Sequence, residues 1–246
     1  MVGKGIGEYP DDTNQVSEFH AIASEGASTI KNESRIRGPV MYVPKPFSEE
    51  RIEILHDAIR RSGLATLVTL APDGLIASHV PMILEPASGP HGALCGHLAR
   101  PNPQSRGVVG DALAIFLGPD AYVSPSWYPA KQETGKVVPT WNYVAIHAYG
   151  SLEFIDDPAR LRAHVTAMTD RHEAARPSPW AVSDAPDDFI ESMLRGIVGF
   201  RLTVTRLEGK RKMSQNRSMD DRLGVAAGLD ADGRHDVADL VRPDAP

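Results

Sequence analysis

The chain has 246 residues, a net charge of −6 and a pI near 5.8. This acidity argues against general binding of nucleic acids, because modules that bind them are usually strongly basic. No apolar run approaches the roughly 20 residues that span a bilayer, and the N-terminus lacks the apolar core of a secretory signal. The single cysteine, Cys95, excludes an internal disulfide and a paired-cysteine zinc site. We therefore expect a cytoplasmic protein.

The first 40 residues differ in composition from the rest of the chain. Gly, Ser, Asp, Glu and Asn are frequent there, and no hydrophobic periodicity is sustained. Such segments bury too little apolar surface to fold alone. We predict a flexible N-terminal extension over residues 1–40 and one domain over residues 41–246.

Residues 48–63, SEERIEILHDAIRRSG, predict an amphipathic helix. Ser48 is a favourable N-cap, acidic residues follow it, and two arginines occupy the last turn. Ile52, Leu55 and Ile59 recur at helical spacing, so one face should be buried. His56 is interpreted as a residue of the polar face.

A β-rich region follows this helix. Residues 64–70 and 75–84 are apolar and flank APDG, a strong signal for a hairpin. Five further strands are predicted, over residues 93–99, 112–118, 121–126, 141–155 and 196–210, with the second and third of these joined by Pro-Asp.

Three helices are predicted among and after the last strands. Asp157 with Pro158 begins one, Pro186 begins another, and Ser218 caps the third. Strands and helices do not alternate regularly, so a parallel α/β sheet is disfavoured. The pattern favours an α+β fold, mainly β, in which a small closed barrel carries peripheral helices.

Four polar clusters lie at predicted strand ends. They comprise Ser78, His79, Val80 and Pro81; His97, Leu98, Ala99, Arg100 and Asn102; Trp141, Asn142 and Tyr143; and Lys212, Ser214, Gln215 and Asn216. One interpretation is ordinary core and turn residues. The other is a pocket for a flat ligand with polar edges and a phosphate.

Two of these clusters have the chemistry of an anion site. Arg100 offers a charged fork beside turn amides. Residues 206–217 contain five Lys or Arg and one acid, Glu208, in an otherwise acidic chain, which indicates a specific anionic ligand. A catalytic residue is not predicted, because Cys95 and His97 lack a third partner and no GxSxG motif is present. No His spacing demands a metal.

Taken together, PTWNY at residues 139–143 and SQNR at 214–217 resemble the PaiB-type FMN-binding negative transcriptional regulator family. Further matching stretches include MYVPKPF at 41–47 and GHLARPNPQ at 96–104. The resemblance implies a split β-barrel related to the pyridoxamine-phosphate-oxidase-like flavoproteins. It also implies a homodimer with FMN at the subunit interface, contacted by residues of all four clusters.

Four functions stay open at this point. The resemblance implies a transcriptional repressor. The acidity of the chain does not favour direct contact with DNA, so regulation through DNA or through a partner protein stays open. The alternative is an FMN-dependent oxidoreductase acting on a small molecule. A site for another planar cofactor, such as a deazaflavin or a haem bound by His79 or His97, and a barrel without ligand are the remaining hypotheses.

Overall fold

The computed structural model describes residues 41–243, and the predicted extension over residues 1–40 lies outside them. One antiparallel sheet dominates the described part. Its strands are β1 Ser48–Glu49, β2 Ala65–Ala71, β3 Gly74–Val80, β4 Ile83–Glu85, β5 Ala93–Ala99, β6 Val109–Val123, β7 Thr140–Ile155 and β8 Ile197–Lys212. The order across the sheet is β3-β2-β6-β7-β8-β5-β4, and β1 pairs with the far end of β8.

Six α-helices surround the sheet in the described residues. They are α1 Ile52–Arg61, α2 Ala130–Thr134, α3 Pro158–Glu173, α4 Asp187–Arg195, α5 Met219–Ala231 and α6 His235–Val241. The predicted caps are correct at two of them: Asp157 accepts from the Arg160 amide, and Ser218 accepts from the Asp221 amide. Within residues 41–243, no helix has the length and apolarity to cross a membrane.

The sheet curls so that its two ends share one core. Leu67 of β2 and Val80 of β3 belong to the same buried cluster as Leu84 of β4, although these strands lie at opposite ends of the sheet order. Phe116 and Phe200 fill the space between them. The predicted fold class, a mainly β split barrel with peripheral helices, is confirmed.

The prediction of two strands over residues 112–126 is wrong, because β6 runs unbroken from Val109 to Val123. Gly118 and Pro119 lie inside it, where the register with β7 shifts between Leu117 and Asp120. A bulge of this kind accommodates a proline that cannot donate to the ladder. The strand therefore continues past the residues that suggested a turn.

The prediction that Ser48 caps α1 is also wrong. Ser48 pairs with Lys210 of β8, and the helix begins at Ile52. Glu49 instead accepts hydrogen bonds from the backbone and side chain of Arg51, at 3.0 and 2.8 Å. His56, expected on the polar face, is buried, and its Nε2 lies 3.1 Å from the carbonyl oxygen of His91.

A second core joins α5 and α6 to the ends of β6 and β8. Trp127 packs against α5 at Gly224 and Gly228. A Cβ at Gly224 would lie 2.2 Å from the Trp127 carbonyl oxygen, and one at Gly228 would lie 2.3 Å from the indole ring. Only glycine at both positions allows this contact between the ring and the helix backbone.

Candidate functional site

The side of the sheet that faces away from the core carries a continuous row of polar and apolar side chains. His79 pairs with Thr66, and Thr66 pairs with Ile115. Ile115 pairs with His147, and His147 pairs with Glu208. Side chains that are directly opposite on paired strands point to the same face. This surface, which we call the outer face, therefore extends across β3, β2, β6, β7 and β8.

The outer face is apolar over β3, β2 and β6. Leu70 and Leu75 are opposite each other and are 44% and 76% exposed. The adjoining row of Val68 and Leu113 is half-buried. Contiguous exposed apolar surface of this kind marks an interaction site.

The outer face becomes aromatic where β6 and β7 extend beyond β2. Tyr122 pairs with Trp141, and their rings meet edge to face with centroids 6.1 Å apart. Both rings line an open hollow of about 480 Å³ that Asp120 and Arg234 also border. Trp141 is 54% exposed, so its ring is available to a ligand.

Basic side chains lie beside these rings at the end of β8. Lys212 pairs with Tyr143, and its Nζ donates to the carbonyl oxygen of Trp141 at 2.5 Å and to Thr140. Burial, followed by repulsion from Lys210 and Arg217, lowers the pKa of Lys212. In the part of the chain that the structure describes, none of these three cations forms an ion pair with a carboxylate. The positive charge here is therefore uncompensated.

Asn142, predicted to contact a ligand, points into the protein. It is fully buried, and its Nδ2 donates to the Ser214 hydroxyl at 3.0 Å. Ser214 has a φ of +61°, rare for a residue other than glycine. Gln215 closes the same turn by accepting from the Met213 amide at 2.6 Å and donating to the Arg211 carbonyl at 2.5 Å. These residues fix the backbone beneath the site, and Asn216 is exposed in that turn.

The first two predicted clusters meet each other. Asn102 Nδ2 donates to the Ser78 hydroxyl at 3.0 Å. The Asn102 side chain also accepts from the amide of Gln104, a buried residue that donates to the Leu67 carbonyl. The neighbouring predicted residues Val80 and Leu98 are core residues, Pro81 is half-buried and Ala99 is exposed.

Arg100 lies far from Lys212 within one chain. Its guanidinium donates to Asp156 and to the carbonyl oxygens of Arg195 and Ile197. Ile197 begins β8, whereas Lys212 ends it. The structure thus brings the third and fourth clusters together at the end of β8, and it joins Ser78 to Asn102. Arg100 lies apart from the third and fourth clusters.

His97 points toward α3 rather than toward the outer face. Its Nδ1 lies 3.1 Å from Nε2 of His164, and the rings meet edge to face. Burial lowers the pKa of His97, and burial together with the neighbouring His97 ring lowers the pKa of His164 to about 4. Nearby, the Cys95 thiol donates to Glu85 at 3.3 Å, and burial raises its pKa to about 12.

Sequence reasoning missed several residues of the outer face. They are Thr66, Tyr122, His147 and Tyr149. The guanidinium carbon of Arg206 lies 3.7 Å from the centroid of the Tyr149 ring. For His147 and Tyr149, the signal that could have revealed them was the two-residue spacing along β7 that begins at Trp141 and Tyr143. Within residues 41–243, no group of three His, Cys, Asp or Glu side chains could hold a metal ion.

Comparison with known proteins gives a match at the level of family. A family profile described as "Putative FMN-binding domain" matches residues 41–206. The Bacillus subtilis protein named protease synthase and sporulation protein PAI 2 is 34% identical over 191 residues, 77% of this chain and 89% of that protein. The Emericella nidulans protein AN0679 is 34% identical over 242 residues, 82% of this chain and 96% of that protein.

A solved structure shares the fold. The FAD and heme binding protein from Mycobacterium smegmatis superposes with a TM-score of 0.51, covering 74% of this chain and 80% of that chain. Its sequence is 18% identical to this chain, so the likeness shows the fold alone.

The His97–His164 pair predicts a dependence of stability on pH. The unfolded chain protonates His164 near its ordinary pKa of 6.5, whereas the folded protein protonates it only near 4. Stability should therefore fall as pH drops from 6.5 toward 4. We expect His164→Gln to reduce this fall in the free energy of unfolding by about 1–2 kcal/mol. This is less than the full pKa shift implies, because the two imidazole rings are partly solvated.

Urea unfolding at pH 7 and pH 4.5 measures this effect. His172→Gln, an exposed histidine of the same helix, is the matched control and should keep the wild-type difference between the two pH values. An unchanged difference in His164→Gln would contradict the assignment.

Proposed function

We propose, since this chain belongs to the FMN-binding domain family whose profile it matches, that it holds FMN on the outer face, at the end of β7 and β8. The chain is an FMN-binding split-barrel protein. The position of the flavin and the wider role of the protein are our proposals. The observation that most supports this position is the uncompensated positive charge around Lys212.

The charge at the end of β8 fits the phosphate of FMN. Lys210, Lys212 and Arg217 lie close enough for the first and third to lower the pKa of the second. A phosphate dianion placed among them would relieve that repulsion through charge-assisted hydrogen bonds. Arg100 already donates to Asp156, so we assign it a smaller share of the phosphate than Lys212.

The neighbouring rings fit the isoalloxazine. Trp141, Tyr122 and Tyr143 offer aromatic ring surface on the outer face, and the carbonyl and hydroxyl groups of the chain supply edge contacts. When bound, FMN supplies the reversible redox chemistry of its ring. The residues of the chain bind and orient it.

The remaining predicted contacts require a second subunit. Arg100 and Lys212 mark opposite ends of β8, and Ser78 with Asn102 lies across the sheet from Trp141. We propose that one flavin is contacted by these residues and by residues 79–81 and 97–99. Because they are separated within one subunit, they come from different subunits. We therefore propose a homodimer in which each FMN is shared.

The apolar part of the outer face is the proposed dimer surface. Leu70, Leu75, Val68 and Leu113 form a patch that a two-fold axis would pair with itself. An obligate interface should bury more than about 2,000 Å² in total. Pairing these faces would place the flavin at the seam between the subunits.

For the wider role, we keep a negative transcriptional regulator as the proposal and an FMN-dependent oxidoreductase as the alternative. The family resemblance supports the regulator. The net charge of −6 over the whole chain favours a protein partner over direct contact with DNA. We place the protein in the cytoplasm.

Replacing Lys212 tests the phosphate site. We expect Lys212→Met to weaken FMN binding by roughly ten-fold or more, because a charge-assisted hydrogen bond is lost. Riboflavin, which lacks the phosphate, should lose much less affinity. Fluorescence titration of flavin-free protein measures both constants.

The control for this test is Lys136→Met, an exposed lysine outside the strands, and it should change neither affinity. Equal losses for FMN and riboflavin in Lys212→Met would show that this lysine does not read the phosphate.

A charge pair on the outer face tests the dimer. Leu70→Asp with Leu75→Lys leaves a favourable cross-strand pair in the free subunit, but it would place two charges in the interface. We expect a monomer at micromolar concentration by light scattering, with weakened FMN binding.

The matched control is Met219→Asp with Leu223→Lys, two residues of α5 that are 57% and 49% exposed and whose substitutes form an i,i+4 pair. It should stay dimeric and keep FMN. A dimer that survives the change on the outer face would reject this surface.

A further inference from the structure

A second cleft lies beside α1, and Lys210 of the outer face lies at its edge. It has a volume of about 610 Å³ and opens between α1, α6 and the ends of β6, β7 and β8. Its floor is apolar, built from Leu55, Ala58, Val144, Ile146 and Leu240. This volume is in the range of sites that hold small organic molecules.

The alternation of side chains along β8 places Arg211 and Lys212 on opposite faces of the sheet. Lys212 pairs with Tyr143 on the outer face, whereas Arg211 pairs with Val144, which lines the cleft. Arg211 therefore points to the opposite side of the sheet from Lys212. Arg211 is one of several charged residues that line the cleft, and it lies beside the apolar floor.

The acidic residues that line the cleft already have arginine partners. Asp57 is paired with Arg61 at 2.9 Å, and Asp236 with Arg234 at 3.3 Å. Their charges are thus neutralised locally, and they add little repulsion toward an incoming anion.

Glu49, the third acid of the cleft, is held by Arg51. The two side chains form an ion pair at 2.6 Å. The pKa of Glu49 is lowered, first by its hydrogen bond to Arg51 and least by the charge of Arg211. Lys210, which also lines the cleft, contributes a positive charge. One carboxylate between two arginines leaves one further positive charge.

Arg211 carries that charge with an incomplete set of partners. Its Nη2 donates to the Leu240 carbonyl at 3.1 Å. Its Nε is buried, and no described residue accepts from it. A buried donor without an acceptor is costly, so a ligand that supplies an acceptor here would be favoured.

We propose that this cleft binds a small organic anion with an apolar body. The carboxylate or sulfonate of such a ligand accepts from Arg211, and its hydrocarbon or aromatic part lies on Leu55, Ala58 and Val144. Lys210 lines this cleft and is also one of the cations that we assign to the FMN phosphate, so the two sites are neighbours and Arg211 is the residue that distinguishes them.

Two matched probes test the proposal by titration calorimetry on FMN-loaded protein. They are 2-naphthoate and 2-naphthylmethanol, which share an apolar body and differ in charge. We expect 2-naphthoate to bind the wild type more tightly than 2-naphthylmethanol does. Arg211→Met should weaken 2-naphthoate by roughly ten-fold while changing 2-naphthylmethanol little.

Three further variants make the result decisive. Ala58→Phe fills the cleft and should abolish binding of both probes, and Arg211→Lys retains charge and should keep most of the affinity for 2-naphthoate. Arg195→Met, an exposed arginine of α4, should bind as the wild type does. The visible spectrum of FMN should be the same in every variant.

The proposal is overturned if neither probe binds the wild type, or if Arg211→Met binds 2-naphthoate unchanged. It is also overturned if this variant loses both probes equally, because Arg211 would then shape the cleft without reading charge. Binding that survives Ala58→Phe would place the probe elsewhere on the molecule.

Discussion

The alternation of side chains along the three long strands is the constraint on which the molecule depends. A strand sends successive side chains to opposite faces, and β6, β7 and β8 are each long enough to serve two cores and one outer face. Ile146 and Ala148 enter the barrel core, while His147 and Tyr149 face outward. A shift of register by one residue would exchange these sets completely.

The same alternation explains why adjacent residues of one motif do different work. Trp141 is exposed, Asn142 is fully buried, and Tyr143 faces outward again. The buried amide holds Ser214 in its left-handed conformation, which sets the path of the turn after β8. The motif thus contributes two exposed aromatic side chains and one buried amide, which fixes the backbone of the turn after β8.

Much of the fold could be predicted from local patterns, and the side of the sheet that each residue faces could not. The hairpin around Asp73-Gly74 and the cap at Asp157 are set by neighbouring residues. The bulge at Gly118-Pro119 and the strand at Ser48 depend on partners far away in sequence. The resemblance pointed to particular stretches of chain, but only the register shows that Arg100 and Lys212 lie at opposite ends of β8.

Trp127 packs against two glycines of α5, and this contact makes the last two helices part of the same packed structure as the barrel. The family profile ends at residue 206, before these helices begin, yet they cover Trp127, Tyr128 and Met213. A fragment cut to the limits of that profile would lack the final residues of β8. It would also expose the side chains of Trp127 and Tyr128 to solvent. The boundary drawn by sequence similarity is therefore not the boundary of the cooperative folding unit.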